Sequence, residues 1–452
     1  MEQKPAGKTE RSPPWAELLG SDHWSGLLHP LDLSLRRLIL QCGDMCQVTY
    51  DSFNGDPRSK YCGSCRYGKS SLLSDVFFPG ADNYAVYDYL YATSEVPLPD
   101  EFLCFSLAGD HAWSKDSNWI GYVAVSTATA GRREIYVAWR GTIRTLEWVD
   151  ALSPEPVNIG SILSSKAEAP APAAEEEEDC KVMKGWYVIY TSSNPNSQYT
   201  KQSARDQLMS AIKALVELYK DESLSIVCVG HSLGAALAVL SAFDIVENGL
   251  SKTGRAGETF PVCAVVFGSP QVGHRAFNQR LEKLPNLRVL HVKNKLDVIP
   301  RYPSGLLGYV DTGTVLEVDN RKSPYLKEST NPGDWHNLQG ILHAVAGWNG
   351  ADGDFELQVK RSTALVNKSS EYLKDEYLVP GSWWVERNKG MVLAGDGEWA
   401  LAPPPDDSVP LPLSAQQKGK PAEEEEPQQP VPVPKKRTSM RSPFAACFRV
   451  LH

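Results

Sequence analysis

The sequence predicts an α/β fold with a mainly parallel central sheet and disordered extensions at both ends. Three observations lead there. Strand-like apolar runs alternate with amphipathic helix-like runs from about residue 203 to 294, an order that lays helices on the faces of a parallel sheet. One of those strands, in LSIVCVGHSLGAALA, turns through two glycines directly into an Ala-rich helix. The chain has 452 residues, 42% of them hydrophobic, enough for one large core. Its two ends are rich in Pro, Glu and Lys and cannot build one.

Each element follows from its local pattern. Residues 1–14 are polar and read as disordered. From Trp15 to about Phe53, Leu18, Leu19, Leu27, Leu28, Leu31, Leu35, Leu38 and Ile39 recur at helical intervals, and Pro30 breaks the run. WIGYVAVSTA (119–128) and REIYVAWRGT (133–142) are β-rich runs joined by a short Gly-containing turn, a hairpin. SSKAEAPAPAAEEEEDC (164–180) is an acidic low-complexity insert, read as a solvated loop. Ser203–Lys220 carries Leu208, Ile212, Leu215, Val216 and Tyr219 on one helical face. Next come a strand at Leu224–Val229, a helix from Leu233 to about Glu247, and strands at 263–268 and 287–294 with the helix HRAFNQRLEKL between them. A single domain over 15–400 is expected, followed by a Pro- and Glu-rich, then basic, tail at 401–452.

Charge and composition narrow the functional classes. A net charge of −9 and a pI near 5.6 argue against nucleic acid as the main partner. No apolar run approaches the ~18 residues that span a bilayer, and MEQKPAGKTERSPPW has no apolar secretory core. The nine scattered cysteines are then expected to be reduced thiols in a cytoplasmic protein. Cys62 and Cys65 form one CxxC, and Cys42 and Cys46 are the other pair a zinc site would need. The latter sit in a Leu-rich helical run, where buried core thiols are expected instead, so no metal is assigned. The P-loop letters in GSCRYGKS follow a polar, turn-rich stretch rather than a strand, and are set aside.

The chemistry is expected at Gly230-His231-Ser232-Leu233-Gly234, which matches G-x-S-x-G between a buried-type strand and a helix. A serine at such a turn projects its hydroxyl above the sheet, and the free N–H of Leu233 at the helix start is placed to stabilise an oxyanion. A hydroxyl nucleophile needs a base, and the base an orienting acid. Asp297, just past a strong strand in LDVIPRYP, is the leading acid; Asp311 and Asp319 are runners-up, and Asp244 reads as a surface or core-edge helix residue. His336, expected to begin a helix after Pro332 and Gly333, is the leading base. His343 lies among Leu342, Ala344 and Val345 and reads as a core histidine. His231 is expected to point away from the site in a structural role, and His291 to be a sheet residue. The turn after VAWRG offers the Thr142 backbone N–H as the second oxyanion donor.

VAWRGT, GHSLGAALA, FGSPQVG, LDVIPRYP and WHNLQGILHAVAG, in this order, resemble the class 3 lipases. WSGLLHPLDLSLRRLILQCGDMCQVTYDSF near the start makes the chain most similar to the plant class II phospholipase A1 group, over roughly residues 13–395. The resemblance implies an α/β-hydrolase lipase fold with Ser232 as nucleophile, Asp297 as acid, His336 as base and an oxyanion hole from the Thr142 and Leu233 backbone. It implies hydrolysis of the sn-1 acyl ester of glycerophospholipids at a membrane or micelle surface, with no metal or other cofactor, and no plastid transit peptide. A triacylglycerol or galactolipid lipase with the same triad is the first rival; a catalytically idle lipase fold serving as a scaffold is the second. A lid is expected around Trp148–Ile162, where Leu152, Val157 and Ile162 alternate with Pro and Gly. The terminal KKRTSMRSPFAACFRVLH reads as a disordered tail with incidental basic residues, against the alternative of transient docking to an anionic membrane.

Overall fold

In the computed structural model, the strand that leads into the serine lies at the centre of a seven-stranded sheet. The structure describes residues 12–57, 59, 61–93, 117–127, 131–142, 154–163, 180–253, 258–384 and 391–401. The sheet comprises β1 (Tyr84–Thr93), β2 (Ser117–Ser126), β3 (Arg132–Trp139), β6 (Ser223–His231), β7 (Val262–Phe267), β8 (Leu287–Asn294) and β9 (Thr314–Val318), side by side in that order. β1, β2 and β3 pair antiparallel, so the expected hairpin is present. From β3 through β6, β7 and β8 to β9 every pairing is parallel. This is the mainly parallel α/β sheet that the alternating pattern predicts. The small ribbon β4 (Pro156–Asn158) with β5 (Lys181–Met183) and the hairpin of β10 (Met391–Leu393) with β11 (Trp399–Leu401) lie outside it.

Successive residues of a strand point to opposite faces, and the two faces bury two cores. On β6, Ile226 and Cys228 enter one core with Ile135, Val137 and Trp139 of β3. Val227 and Val229 enter the other with Tyr136 and Ala138. The first face is covered by α4 (Lys184–Thr191), α5 (Ala204–Leu218), α6 (Leu233–Glu247) and α7 (Arg275–Lys283). α6 is buried along nearly its whole length; Leu237, Leu240 and Phe243 are each fully enclosed, worth about 1.5–3 kcal/mol apiece in apolar burial. The second face is covered by α2 (Leu33–Asp51) and α9 (Leu338–Gly347). Asp32 caps α2 by accepting from Ser34 and Leu35 N–H. Arg36 reaches from α2 to the free carbonyls at the end of α9, donating to Val345 O and, at 2.7 Å, to Trp348 O.

Several expectations are corrected. The Leu-rich start is broken at Pro30 as expected, but over a wider stretch: α1 (Trp15–Leu18) and α2 flank turns over 19–32, where Gly20 and Gly26 add to Pro30. α3 (Leu72–Asp75) is a single turn before β1. Asp244 is not at the surface. Its side chain is fully buried and takes a bidentate pair from Arg205 (2.6 and 3.0 Å), the Tyr190 hydroxyl (2.9 Å) and Asn248 Nδ2 (2.6 Å). A helical position facing α4 and α5 is internal whatever its polarity, and these partners supply what desolvation removes. Cys42 and Cys46 are buried core thiols on α2, as expected. Cys62 is not reduced: it is disulfide-bonded, while the other described cysteines are reduced thiols. Of the segment expected to hold a lid, 148–153 lies outside the described residues. The described remainder is fastened down: β4 pairs with β5, Ile159 and Ile162 are core, and Asn248 Nδ2 holds Ile162 O at 2.9 Å. Residues 1–11, the insert over 164–179 and the tail from 402 also lie outside the described residues.

Candidate active site

Ser232 follows β6 and is the N-cap of α6, with φ 59° and ψ −128°. A non-glycine residue held there costs about 1–3 kcal/mol and persists only where its surroundings impose it. The imposition is visible. Ser232 N–H donates to Phe267 O at the end of β7 (3.0 Å), and the glycines on either side let the elbow close. A Cβ on Gly230 would lie 2.0 Å from Gly234 O, and one on Gly234 would lie 2.3 Å from Trp139 O. The second contact presses the start of α6 against the end of β3, beside Arg140, Gly141 and Thr142. An N-cap serine ordinarily spends its hydroxyl on the N–H groups of the first turn; Ser232 makes no such bond. Leu233, first residue of α6, directs its N–H out of the helix with no intrahelical acceptor.

Asp297 and His336 are brought to the same place. Asp297 sits in the turn after β8, with its N–H on Asn294 O (3.0 Å). Its carboxylate is buried; one oxygen accepts from His336 Nδ1 at 2.7 Å, the other from Ile299 N–H at 3.0 Å. His336 ends the four-residue helix α8 (Pro332–Trp335), rather than starting a helix, and precedes α9. Asn294 pins this turn to the sheet: its Nδ2 donates to Trp335 O (2.9 Å) and its Oδ1 accepts from Asn320 N–H (3.1 Å). Gly268, with φ +51°, lies against the pair; a Cβ there would be 2.8 Å from Asp297 Oδ2 and 2.9 Å from His336 Cε1. Ser232 Oγ and His336 Nε2 are both buried, and neither has a hydrogen-bond partner among the described residues. Buried polar atoms are rarely left so, and these two are the atoms a proton transfer from serine to histidine would use.

The other candidates fall elsewhere. Asp311 engages Gln271 and Lys293, and Asp319 engages Arg321. His343 is a core histidine bonded to the Ser323 hydroxyl at 2.7 Å, and burial lowers it to about 3. His291 is a strand residue whose Nε2 accepts Ser269 N–H at 3.0 Å; burial, with some repulsion from Lys293, lowers it to about 4. Thr142 is buried at the last described position after β3, next to the elbow. Arg140 below it is fully buried over the Phe53 ring and donates to Trp119 O (3.0 Å) and Gly141 O (2.9 Å); burial brings it down to about 10. A cleft of about 970 Å³ beside α2, lined by Asp44, Asp51, Arg361 and Lys368 among others, includes none of the triad residues in its lining.

Two residues of the site have roles that sequence reasoning did not assign. His231 does not point away from the site. Its ring lies 4.5 Å from that of His336, and its Nε2 holds His336 O at 2.8 Å. Since a carbonyl only accepts, Nε2 carries the proton and Nδ1 is free to accept from the Tyr50 hydroxyl, 2.7 Å away. Burial, and then the neighbouring His336, hold His231 well below the usual histidine range, so it stays neutral. Tyr50, at the end of α2, also packs its hydroxyl against Gly141, where an added Cβ would lie 2.1 Å from it. One α2 residue thus joins the turn after β3 to the backbone of His336. The only sequence signal was a tyrosine near the end of an amphipathic run.

Residues 136–306 match the family description Lipase (class 3). The chain is 59% identical over 405 residues to phospholipase A1-II 5 of Oryza sativa subsp. japonica, covering 89% of this chain and 85% of that one. It is 52% identical over 410 residues to phospholipase A1-IIdelta of Arabidopsis thaliana, covering 88% and 98%. The chain belongs to the class II phospholipase A1 family of class 3 lipases. Among solved structures it is similar to a nonglycosylated Yarrowia lipolytica LIP2 lipase, at 17% identity and a TM-score of 0.42, over 67% of this chain and 85% of that one. Ser232, Asp297 and Thr142 lie inside the matched stretch of this phospholipase A1-II family member; Tyr50 and His336 lie outside it.

Proposed function

We propose that this protein is a serine acyl hydrolase that cleaves the sn-1 ester of glycerophospholipids, giving a 2-acyl lysophospholipid and a fatty acid. The observation that carries the reading is the Asp297–His336 pair at 2.7 Å beside a strained Ser232 whose hydroxyl caps nothing. The names of the two relatives above, both phospholipases A1-II, supply the substrate class. In the first half-reaction His336 Nε2 takes the Ser232 proton as Oγ bonds to the ester carbonyl carbon. The tetrahedral oxyanion is met by the Leu233 and Thr142 N–H groups. The bond to the glycerol oxygen then breaks, and His336 returns the proton to that oxygen. Water, deprotonated by the same histidine, attacks the acyl-serine; the bond to Oγ breaks, the acid leaves, and His336 returns the proton to Ser232 Oγ. Asp297 holds the ring with Nδ1–H toward itself and stabilises the charged form.

The test is hydrolysis of a phosphatidylcholine with different chains at sn-1 and sn-2, wild type beside Ser232→Ala, with the lysolipid identified by mass. Release of the sn-1 chain by wild type alone supports the reading. Release of the sn-2 chain, or equal release by the variant, refutes it. Turnover of galactolipid or triacylglycerol without phospholipid would keep the triad and replace the substrate.

A further inference from the structure

Between Asp297 and Tyr309 the chain leaves the body of the protein and carries apolar side chains into water. Leu306 is 98% exposed, Leu307 50% and Val298 44%. The excursion is tied at both ends. Ile299, Pro300 and Pro303 are buried, Gln271 N–H bonds Tyr302 O (2.7 Å), and Tyr309, 1% exposed, donates its hydroxyl to Pro154 O (2.8 Å). The tip is itself a hydrogen-bonded turn: Leu307 N–H to Ser304 O, Gly308 N–H to Gly305 O, both 3.0 Å, with Ser304 Oγ accepting from Leu306 N–H. Such a tip cannot fold its leucines inward, and the fold gains nothing by presenting them.

We propose that the excursion 298–308 seats the protein on a phospholipid bilayer, with Leu306 and Leu307 entering the interface. The proposal rests on the phospholipid substrate argued above, and three further facts favour a lipid surface as the occupant. The excursion starts at the residue after Asp297, and Ile299 N–H bonds the Asp297 carboxylate, so a surface gripped here lies at the rim of the triad. The segment 298–310 has no acidic residue, while Lys295 and Arg301 are exposed on it or beside it, suited to phosphate headgroups. Two adjacent leucines at a rigid tip penetrate the headgroup–acyl boundary at little cost in conformational entropy.

The test is flotation of full-length Ser232→Ala protein with vesicles of phosphatidylcholine and phosphatidylglycerol in equal parts, against the same protein carrying Leu306→Ser and Leu307→Ser. The Ser232→Ala change keeps the vesicles intact. The expected result is at least about a tenfold loss of vesicle partitioning, from removing two leucines' worth of apolar burial. On the Ser232-intact background, vesicle hydrolysis falls by a similar factor while turnover of a water-soluble monomeric ester is unchanged. Equal flotation of the two proteins overturns the proposal. So does an equal fall in turnover of the soluble ester, which makes the loop a support of the site and not a docking element. A wild-type dimer that the leucine variant turns into monomer, with flotation unchanged, assigns the tip to a second copy and also overturns it. Leucine-dependent flotation of a wild type that hydrolyses no phospholipid, vesicular or monomeric, upholds the docking surface and refutes the catalytic reading instead.

Discussion

Gly268→Ala tests whether the Asp297–His336 pair is held by close packing from one side. The added Cβ would stand 2.8 Å from Asp297 Oδ2, 2.9 Å from His336 Cε1 and 3.0 Å from His336 Nδ1, where ordinary contacts begin at 3.4 Å. The carboxylate must therefore retreat by about 0.6 Å. Neither partner has free room: Asp297 is tied by Ile299 N–H, and His336 by His231 and by the α8 turn. The displacement falls on the 2.7 Å bond between them or on the ring's aim at Ser232. A misplacement of about 1 Å at a reacting group costs on the order of a hundredfold in rate, so half of that predicts a fall in kcat of roughly ten- to a hundredfold.

The backbone contributes separately. Gly268 has φ +51°, and alanine there costs about 1–2 kcal/mol of stability regardless of contacts. Gly249→Ala is the control, since it has φ +72° with nothing within 4 Å of the added carbon and lies past the end of α6. Kinetics on a soluble ester, rates of labelling by a fluorophosphonate, and thermal melts separate the two effects. Both variants should melt lower, and only Gly268→Ala should lose kcat and labelling rate. A folded Gly268→Ala protein with kcat within about twofold of wild type would show that the pair does not depend on the space this glycine leaves.

Three further outcomes follow from the same geometry. Tyr50→Phe strips His231 Nδ1 of its donor, so stability should fall by about 1–3 kcal/mol and kcat by up to about tenfold with KM little changed; a melt that drops with kcat untouched would sever Tyr50 from the site. Asp244→Ala leaves Arg205 and the Tyr190 hydroxyl without their buried acceptor and should cost about 3–5 kcal/mol in urea melts, with activity per folded molecule unchanged; a loss under about 1 kcal/mol would mean the pair contributes as little as a surface one. His343, lowered to about 3 by burial, is neutral when folded, whereas the unfolded chain takes up the proton near the ordinary 6.5, so stability falls as pH drops from about 6.5 toward 3, by up to about 1.4 kcal/mol per pH unit. His343→Asn should flatten that slope in melts between pH 6.5 and 4; an unchanged slope would place the acid sensitivity elsewhere.

What the sequence disclosed and what it concealed divide along a physical line. Strand–turn–helix order, the GHSLG turn, and an aspartate past a strand end are local patterns, and each is where its pattern put it: Ser232 after β6, Asp297 after β8. The burial of Asp244, the seat of Gly268 and the pairing of Cys62 depend on which surfaces meet, and periodicity names a face without naming its partner. His231 shows the difference within one motif. Its neighbour Ser232 is singled out by the letters, but its own contacts are with Tyr50, 181 residues upstream, and His336, 105 residues downstream.

Those two contacts also say how the parts of the site come to depend on one another. The stretch that matches the class 3 lipases ends before His336 and begins after Tyr50, yet the elbow histidine inside it is bonded to both. α2 and α9 pack on the same face of the sheet and are clamped by Arg36, so the helix that carries Tyr50 and the helix that follows His336 are set by one core. The N-terminal segment, which carries none of the three residues proposed as nucleophile, acid and base, is hydrogen-bonded into the site they form. A shift of α2 would reach the turn after β3 through the contact of Tyr50 with Gly141, and His336 through His231, at the same moment.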